Sequence, residues 1–409
     1  MTTEPVRDPA TDYDIFDPDY IKDPFPVWEE IRGKCPVAHT ERVGGSWMPT
    51  TYEDLKRIAA DWHHFSSVDP LVAPIVPPEG HELENAAEED QPFYGVGAPP
   101  ISSDPPEHTW TRKLLLPPFS QKSIEKWEPF TREHCNKLID GFIENGRCDG
   151  AVDYAQQIPP YVIATMMGIP NENTDMFTQW VREFLEFGLQ NFDSAVNSRT
   201  AILTFLWSQI EARKQDPKDD LITYLVQSEV DGAPPPDTHI LGTCFLLLVA
   251  GIDTTWSSIG SALWHLAQNP QHRKMMLEDE KIFDRGIEEL LRAYAPVTMA
   301  RLVTQDVQYD GCQMKQGDKI LMNFPAGNRD PAKFENPDEV IIDRALNPHI
   351  AFGVGIHRCA GSNLARMEMR VAIGEFLKRI PDFHLEAPDA VTWAGGQVRG
   401  PRTMGLVFD

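Results

Sequence analysis

The chain has 409 residues, of which 41% are hydrophobic and 10% aromatic, enough for one large core. Its 62 acidic residues outnumber its 37 basic ones, and the net charge of −25 argues against adhesion to nucleic acid or to an anionic membrane. The six cysteines, Cys35, Cys135, Cys148, Cys244, Cys312 and Cys359, show no CxxC or paired spacing, so neither a zinc site nor a disulfide framework is expected and a reducing cytoplasm fits.

Residues 1 to 18 read as an acidic, proline-containing extension, without the charged start, apolar core and cleavage site of a signal peptide. No linker interrupts the chain, so a single domain over residues 1–409 is expected. Tyr20 to Gly33 reads as a short helix, Val37 to Met48 as a hairpin turning at Gly44 and Gly45, and Thr51 to Trp62 as a second helix. From Ser66 to Ser103 there is no persistent period, and a stretch of that length inside a compact domain is either functional or disordered. Phe93 and Tyr94 favour function, because aromatics in a mobile loop can close over an apolar ligand.

Asp104, as N-cap, with Pro105 and Pro106 opens a helix that carries His108 and Arg112 on one face, four residues apart. Two donors on one face suit a pair of carboxylates, or are two solvated side chains. Ser120 to Val230 reads as a series of amphipathic helices. Phe177, Trp180, Phe184 and Phe187 form a stripe that is either core or pocket wall. Lys113, Lys122 and Lys126, with Arg366 and Arg370 later, are a basic patch or scattered surface charge.

Thr238 to Gln268 is a long central helix. Its longest apolar run, Ile240 to Ile252, is too short for a membrane span. An acid and an alcohol, Asp253 and Thr254, follow Ala250 and Gly251 directly, and polar groups in a buried helix are costly unless partnered or at work. Gly251 removes bulk and Thr254 can take a backbone carbonyl from its partner, which admits a local distortion and a water. A back-bonded threonine beside a structurally paired aspartate is the other reading. Glu289 and Arg292, three apart on a further helix, can pair.

Near the end comes Phe352-Gly353-Val354-Gly355-Ile356-His357-Arg358-Cys359-Ala360-Gly361, followed by helical spacing from Asn363 to Lys378. Cys359 therefore stands at a helix N-terminus beside His357 and Arg358, a setting expected to favour the thiolate that soft metals bind. Gly353, Gly355 and Gly361 let backbone pass close to something flat, against which Phe352 can pack.

This string, phenylalanine, two residues, glycine, three residues, cysteine, one residue, glycine, resembles the haem-binding motif of the cytochrome P450 monooxygenases. Ala250 to Thr254 matches that family's motif of small residue, glycine, any residue, acid and threonine, and Glu289 with Arg292 matches its glutamate, two residues, arginine. The resemblance implies a mostly α fold with small β-sheets in one large haem domain, a b-type haem (iron protoporphyrin IX), and Cys359 as proximal ligand. It implies propionate contacts from His108, Arg112 and Arg301, with Phe352, Gly353, His357, Gly361, Ala250 and Gly251 around the cofactor. Residues 66–103 would cover the substrate, and Val297, Met299, Leu246 and Val249 would line an apolar pocket. Thr254 would hydrogen-bond bound dioxygen while Asp253 relays protons, and Glu289 and Arg292 would be structural, completed by Asn328, Arg329, Asp330 and Arg344.

The function implied is insertion of one oxygen atom of O2 into a C–H bond of a small apolar organic substrate, by a soluble bacterial-type monomer. No flavin or iron–sulfur motif is present, so electrons would come from a ferredoxin or flavodoxin with its NAD(P)H-dependent reductase. A peroxide-driven enzyme of the same fold is the main alternative, against which Asp253 and Thr254 argue. A non-enzymatic cysteine-ligated haem sensor or carrier is the other.

Overall fold

The computed structural model describes residues 6–35, 37–82, 93 and 95–408. The fold is built round one helix, Asp237–Gln268, whose sides are apolar almost all round, the pattern of a helix enclosed by protein. It packs on the helices Ile158–Met166, Thr174–Arg182, Phe192–Gln215 and Ser362–Arg379, and on the strand Gly400–Thr403. Among the described residues it alone is long and apolar enough to cross a membrane, and most of it is buried inside the fold. Leu248, Ile252, Ile259, Leu263 and Leu266 are fully buried, each contributing roughly 1.5–3 kcal/mol. Together they outweigh the several kcal/mol that taking Asp253 out of water costs.

The sheets are small. A five-stranded sheet runs Val37–Thr40, Ser46–Pro49, Lys319–Met322, Met299–Val303, Phe65–Ser66, with one parallel pair, Trp47 opposite Ile320. Arg147–Asp149 joins the C-terminal strand Gly405–Phe408 and Phe383–Leu385 in a second sheet. Two further pairs, Val307–Tyr309 with Cys312–Met314 and Thr392–Ala394 with Gly400–Thr403, complete the set.

Several expected elements shift. The helix expected over 20–33 is two helices, Pro18–Lys22 and Phe25–Lys34, separated by Asp23 and Pro24. The hairpin turn at Gly44 and Gly45 is present, with φ of 87° and 82°. The helix carrying His108 begins at Glu107, with Pro106 in the cap position, and not at Asp104. Asp104 does not cap it: its carboxylate accepts from Ser66 Oγ at 2.5 Å and Ser67 N–H at 3.1 Å, tying the start of the helix to the edge strand Phe65–Ser66. Tyr13, Ile15 and Phe16, inside the acidic N-terminal stretch, are buried with Ile31 and Met48.

Glu289 and Arg292 form no surface pair. Both are fully buried, and the guanidinium also donates to the carbonyls of Asn328, Pro337 and Glu339. Glu289 accepts in turn from Arg344, Asn347 and the Ile341 N–H. Each group satisfies the other's charge and pins residues 328–347, which lead directly into the cysteine loop; Asn328 Oδ1 accepts the Ile350 N–H at 2.7 Å.

Candidate functional site

The cysteine loop folds back on itself through the Cys359 N–H, which donates to the Phe352 carbonyl at 2.8 Å. Gly353 and Gly355 adopt φ of 67° and 72°. At Gly355 no other residue fits, since a Cβ there would lie 2.7 Å from the Ala59 carbonyl oxygen. Phe352 is half-buried, with the Arg366 guanidinium 4.5 Å above its ring. Cys359 lies three residues before the helix Ser362–Arg379, which Gly361 caps. Burial pushes its thiol up, opposed by the Gly361 N–H and by Arg112, Arg358 and Arg366. The helix end and its cations therefore do not suffice for the thiolate expected from the sequence. A metal cation at the sulfur is the partner that would complete it.

Beside this loop lies a set of donors with no acid among them. The His108 and His357 rings sit 4.3 Å apart. His108 Nε2 reaches the Ile356 carbonyl at 3.1 Å, and Arg112 donates to the Arg358 carbonyl. Among the described residues, His108 Nδ1 and His357 Nε2 are buried without a hydrogen-bond partner. Burial, then Arg301, His108 and Arg112, push His357 down to about 2, so this ring is neutral and adds no positive charge beside Cys359. Arg301 is 4% exposed and its guanidinium makes one hydrogen bond, to the Ala300 carbonyl at 2.7 Å. Burial pushes it down to about 10, with Asp104 the one acid opposing that shift. Buried guanidinium and imidazole groups left this way are costly unless an anion completes them. A group carrying two carboxylates, as haem does, fits these residues.

The central helix carries the next group of expected site residues. Between Ile240 and Leu263 it keeps accessible surface at Leu246, Ala250, Gly251 and Thr254 alone, positions that share one helical face. Val249 is buried beside them. The Thr254 hydroxyl donates to the Ala250 carbonyl at 2.8 Å, the back-bonding that the sequence allows, while the helix stays α throughout, so the anticipated local distortion is not seen. Val297 and Met299 are half-buried, just before and at the start of the strand Met299–Val303 that carries Arg301. Phe93 is half-buried against the main core, and Tyr94 lies outside the described residues. In the aromatic stripe Phe177 and Phe184 are core, Phe184 meeting Phe245 at 5.4 Å between ring centres, whereas Phe187 is exposed. Of the basic residues near the loop, Arg366 binds Glu288 and Arg370 binds Asp284, while Lys113, Lys122 and Lys126 are exposed.

Arg402 is the residue that sequence reasoning missed. Its guanidinium donates to both Asp253 oxygens, at 2.9 and 3.2 Å, and to Glu186 at 2.9 Å. Ser257 Oγ adds a bond to Asp253 at 3.1 Å. Burial pushes the Asp253 carboxyl up, and Arg402 opposes it. Glu186 belongs to the segment after Thr174–Arg182, so Arg402 joins three elements: the C-terminal strand, the central helix and the roof above it.

A mostly helical fold with a half-buried cysteine at a helix N-terminus and a set of incompletely paired donors beside it fits a haem protein. The family model for cytochrome P450 matches residues 161–391. The polyketide biosynthesis cytochrome P450 PksS of Bacillus subtilis is 31% identical, over 92% of this chain and 93% of that one. The steroid C26-monooxygenase of Mycobacterium tuberculosis is 34% identical, over 75% of this chain and 85% of its own. The solved structure of PksS superposes with a TM-score of 0.86 at 29% identity, covering 97% of this chain and all of that one. The chain belongs to the cytochrome P450 family, with bacterial relatives. It is accordingly a haem-iron monooxygenase, an oxidoreductase of a family that uses O2, an organic substrate and redox partners.

Proposed function

We propose that Cys359 is the thiolate ligand of a b-type haem, and that the protein inserts one oxygen atom of O2 into a C–H bond of a small apolar substrate. The observation that carries this is the donor set beside Cys359: Arg301, His108, Arg112 and His357, with two unpartnered ring nitrogens and no acid of their own. These four hold the two propionates, and Phe352, Gly353 and Gly361 let the loop approach the ring closely. The haem supplies oxygen activation and the C–H chemistry, with the thiolate favouring O–O cleavage.

The chain's own task is to position substrate, exclude water and deliver protons. Leu246, Ala250, Val297 and Met299, with Phe93 and the buried Val249, offer an apolar lining without a charge, which selects a hydrophobic substrate by desolvation. The names of two relatives, a polyketide-biosynthesis enzyme and a steroid monooxygenase, support that class. Thr254 turns its hydroxyl from the Ala250 carbonyl toward the pocket, where it donates a proton at Oγ1. Asp253 resupplies that proton through its carboxyl, whose affinity for a proton is raised by burial. Arg402 holds the carboxyl until then. Electrons come from a separate ferredoxin or flavodoxin and its NAD(P)H-dependent reductase.

The test is turnover under labelled dioxygen. A compound that shifts the ferric spin state is supplied with ferredoxin, reductase and NAD(P)H under 18O2. One labelled oxygen atom in the product supports the proposal. Label arriving from water, or turnover with peroxide and none with reductant, contradicts it.

A further inference from the structure

Away from this site two thiols meet. Cys35 caps the C-terminal end of the Phe25–Lys34 helix, its N–H bound to the Ile31 carbonyl at 2.8 Å and its Sγ to the Val37 carbonyl at 3.3 Å. Cys312 opens the second strand of the Val307–Tyr309 and Cys312–Met314 hairpin and packs on the same hydrophobic cluster as Val37. The two cysteine side chains lie close enough to interact, though far apart in the sequence. Both are free and half-buried, within reach of small solutes. Cys135, Cys148 and Cys244 are buried instead, and burial pushes each of their thiols up to about 12, out of thiolate chemistry.

The surrounding structure holds the pair in place. Arg57 bridges Asp54, at 2.6 Å, to Asp310, at 2.7 Å, and so clamps the hairpin tip next to Cys312. The Tyr309 hydroxyl also reaches Asp54, at 3.1 Å. The sulfurs are thus brought together by the fold, with no chain ordering left to do, which is the condition under which a second thiol captures an oxidised first one.

We propose that Cys35 and Cys312 are a modification site, an oxidisable thiol pair that hydrogen peroxide closes to a disulfide. The Cys35 thiolate attacks the peroxide O–O bond, forming a sulfenic acid and, with one proton, water. The Cys312 sulfur then displaces the sulfenic hydroxyl, forming the S–S bond, and its proton leaves with that hydroxyl as a second water. Two thiols lose two electrons in all and one peroxide gains them. Cys312 acts second because burial, Cys35 and Asp310 all hold its proton on. The oxidant is of local origin: two-electron reduction of dioxygen that fails to reach substrate yields hydrogen peroxide. Closure staples the first helices to the hairpin and raises the thermal unfolding midpoint.

The test is thiol mapping on the ferric holoprotein. It is treated with hydrogen peroxide, and in parallel with diamide, then alkylated in denaturant and digested without reduction for mass spectrometry. The expected result is a linked Cys35–Cys312 peptide that disappears on reduction and is absent from both Cys35→Ser and Cys312→Ser. Two outcomes in the unsubstituted protein overturn the proposal: both cysteines alkylated as free thiols after either oxidant, or both carried to sulfinic or sulfonic acid without a link.

Discussion

Removing the Arg402 charge tests whether Asp253 is held by one buried partner. Arg402→Met keeps the aliphatic stem over the Trp256 ring, where the guanidinium now lies 5.0 Å from the ring centre, and deletes only the charged fork. The side chains of Arg402 and Asp253 are 6% and 1% exposed, so water cannot replace the lost bonds. Breaking a buried pair by removing one member costs about 3–5 kcal/mol. Ser257 keeps one bond to Asp253, and Arg182 still serves Glu186, which places the expected loss at the lower end, ~3 kcal/mol. The sign with pH follows from burial. Without Arg402 the Asp253 pKa rises further above its unfolded value, so the penalty is largest at neutral pH and shrinks as acid protonates the carboxyl. Urea unfolding of the holoprotein at several pH values measures this. The double variant Asp253→Asn/Arg402→Met should recover about 2–3 kcal/mol relative to the sum of the single variants. A single-variant loss below about 1 kcal/mol, or strict additivity, would refute the assignment.

Other outcomes follow from single contacts. Thr254→Ala should leave the ferric spectrum intact but divert NADPH into peroxide, read as product per reductant; unchanged coupling would remove Thr254 from proton delivery. Gly355→Ala meets both a left-handed φ of 72° and the Ala59 carbonyl, so it should cost about 1–3 kcal/mol and lower haem retention, checked by the haem-to-protein ratio after dialysis. Burial would raise Glu288, yet Arg366 and His349 overcome it and hold its carboxyl down at about 2. Its depressed pKa means a stabilising contribution present above the usual carboxylate range and lost as pH falls toward 2. Unfolding midpoints of the unsubstituted protein and Glu288→Gln should therefore differ at pH 7 and converge in acid; a gap independent of pH would refute the ion pair.

What could be read in the sequence was local. The cysteine loop, the acid and alcohol in the central helix and the Glu289–Arg292 spacing each fall within ten residues, and family membership followed from them. The partner of Asp253 could not be named because Arg402 stands far along the chain, on a short strand paired with Thr392–Ala394. The Cys35 and Cys312 contact is hidden for the same reason, as is the pairing of Arg147–Asp149 with the C-terminal strand. The start of the His108 helix was misplaced because Asp104 carries the usual cap chemistry but spends its carboxylate on Ser66 and Ser67 across a tertiary contact. At Cys359 burial works against the thiolate that a helix end favours, because a helix end is worth at most about 2 kcal/mol.

The most direct measurement is the carbon monoxide difference spectrum of the reduced protein, taken with Cys359→Ser alongside. The account predicts a band at the family's namesake wavelength for the unsubstituted chain and its loss in Cys359→Ser. A band elsewhere in the unsubstituted chain, or one that survives the substitution unchanged, would contradict Cys359 as the haem ligand.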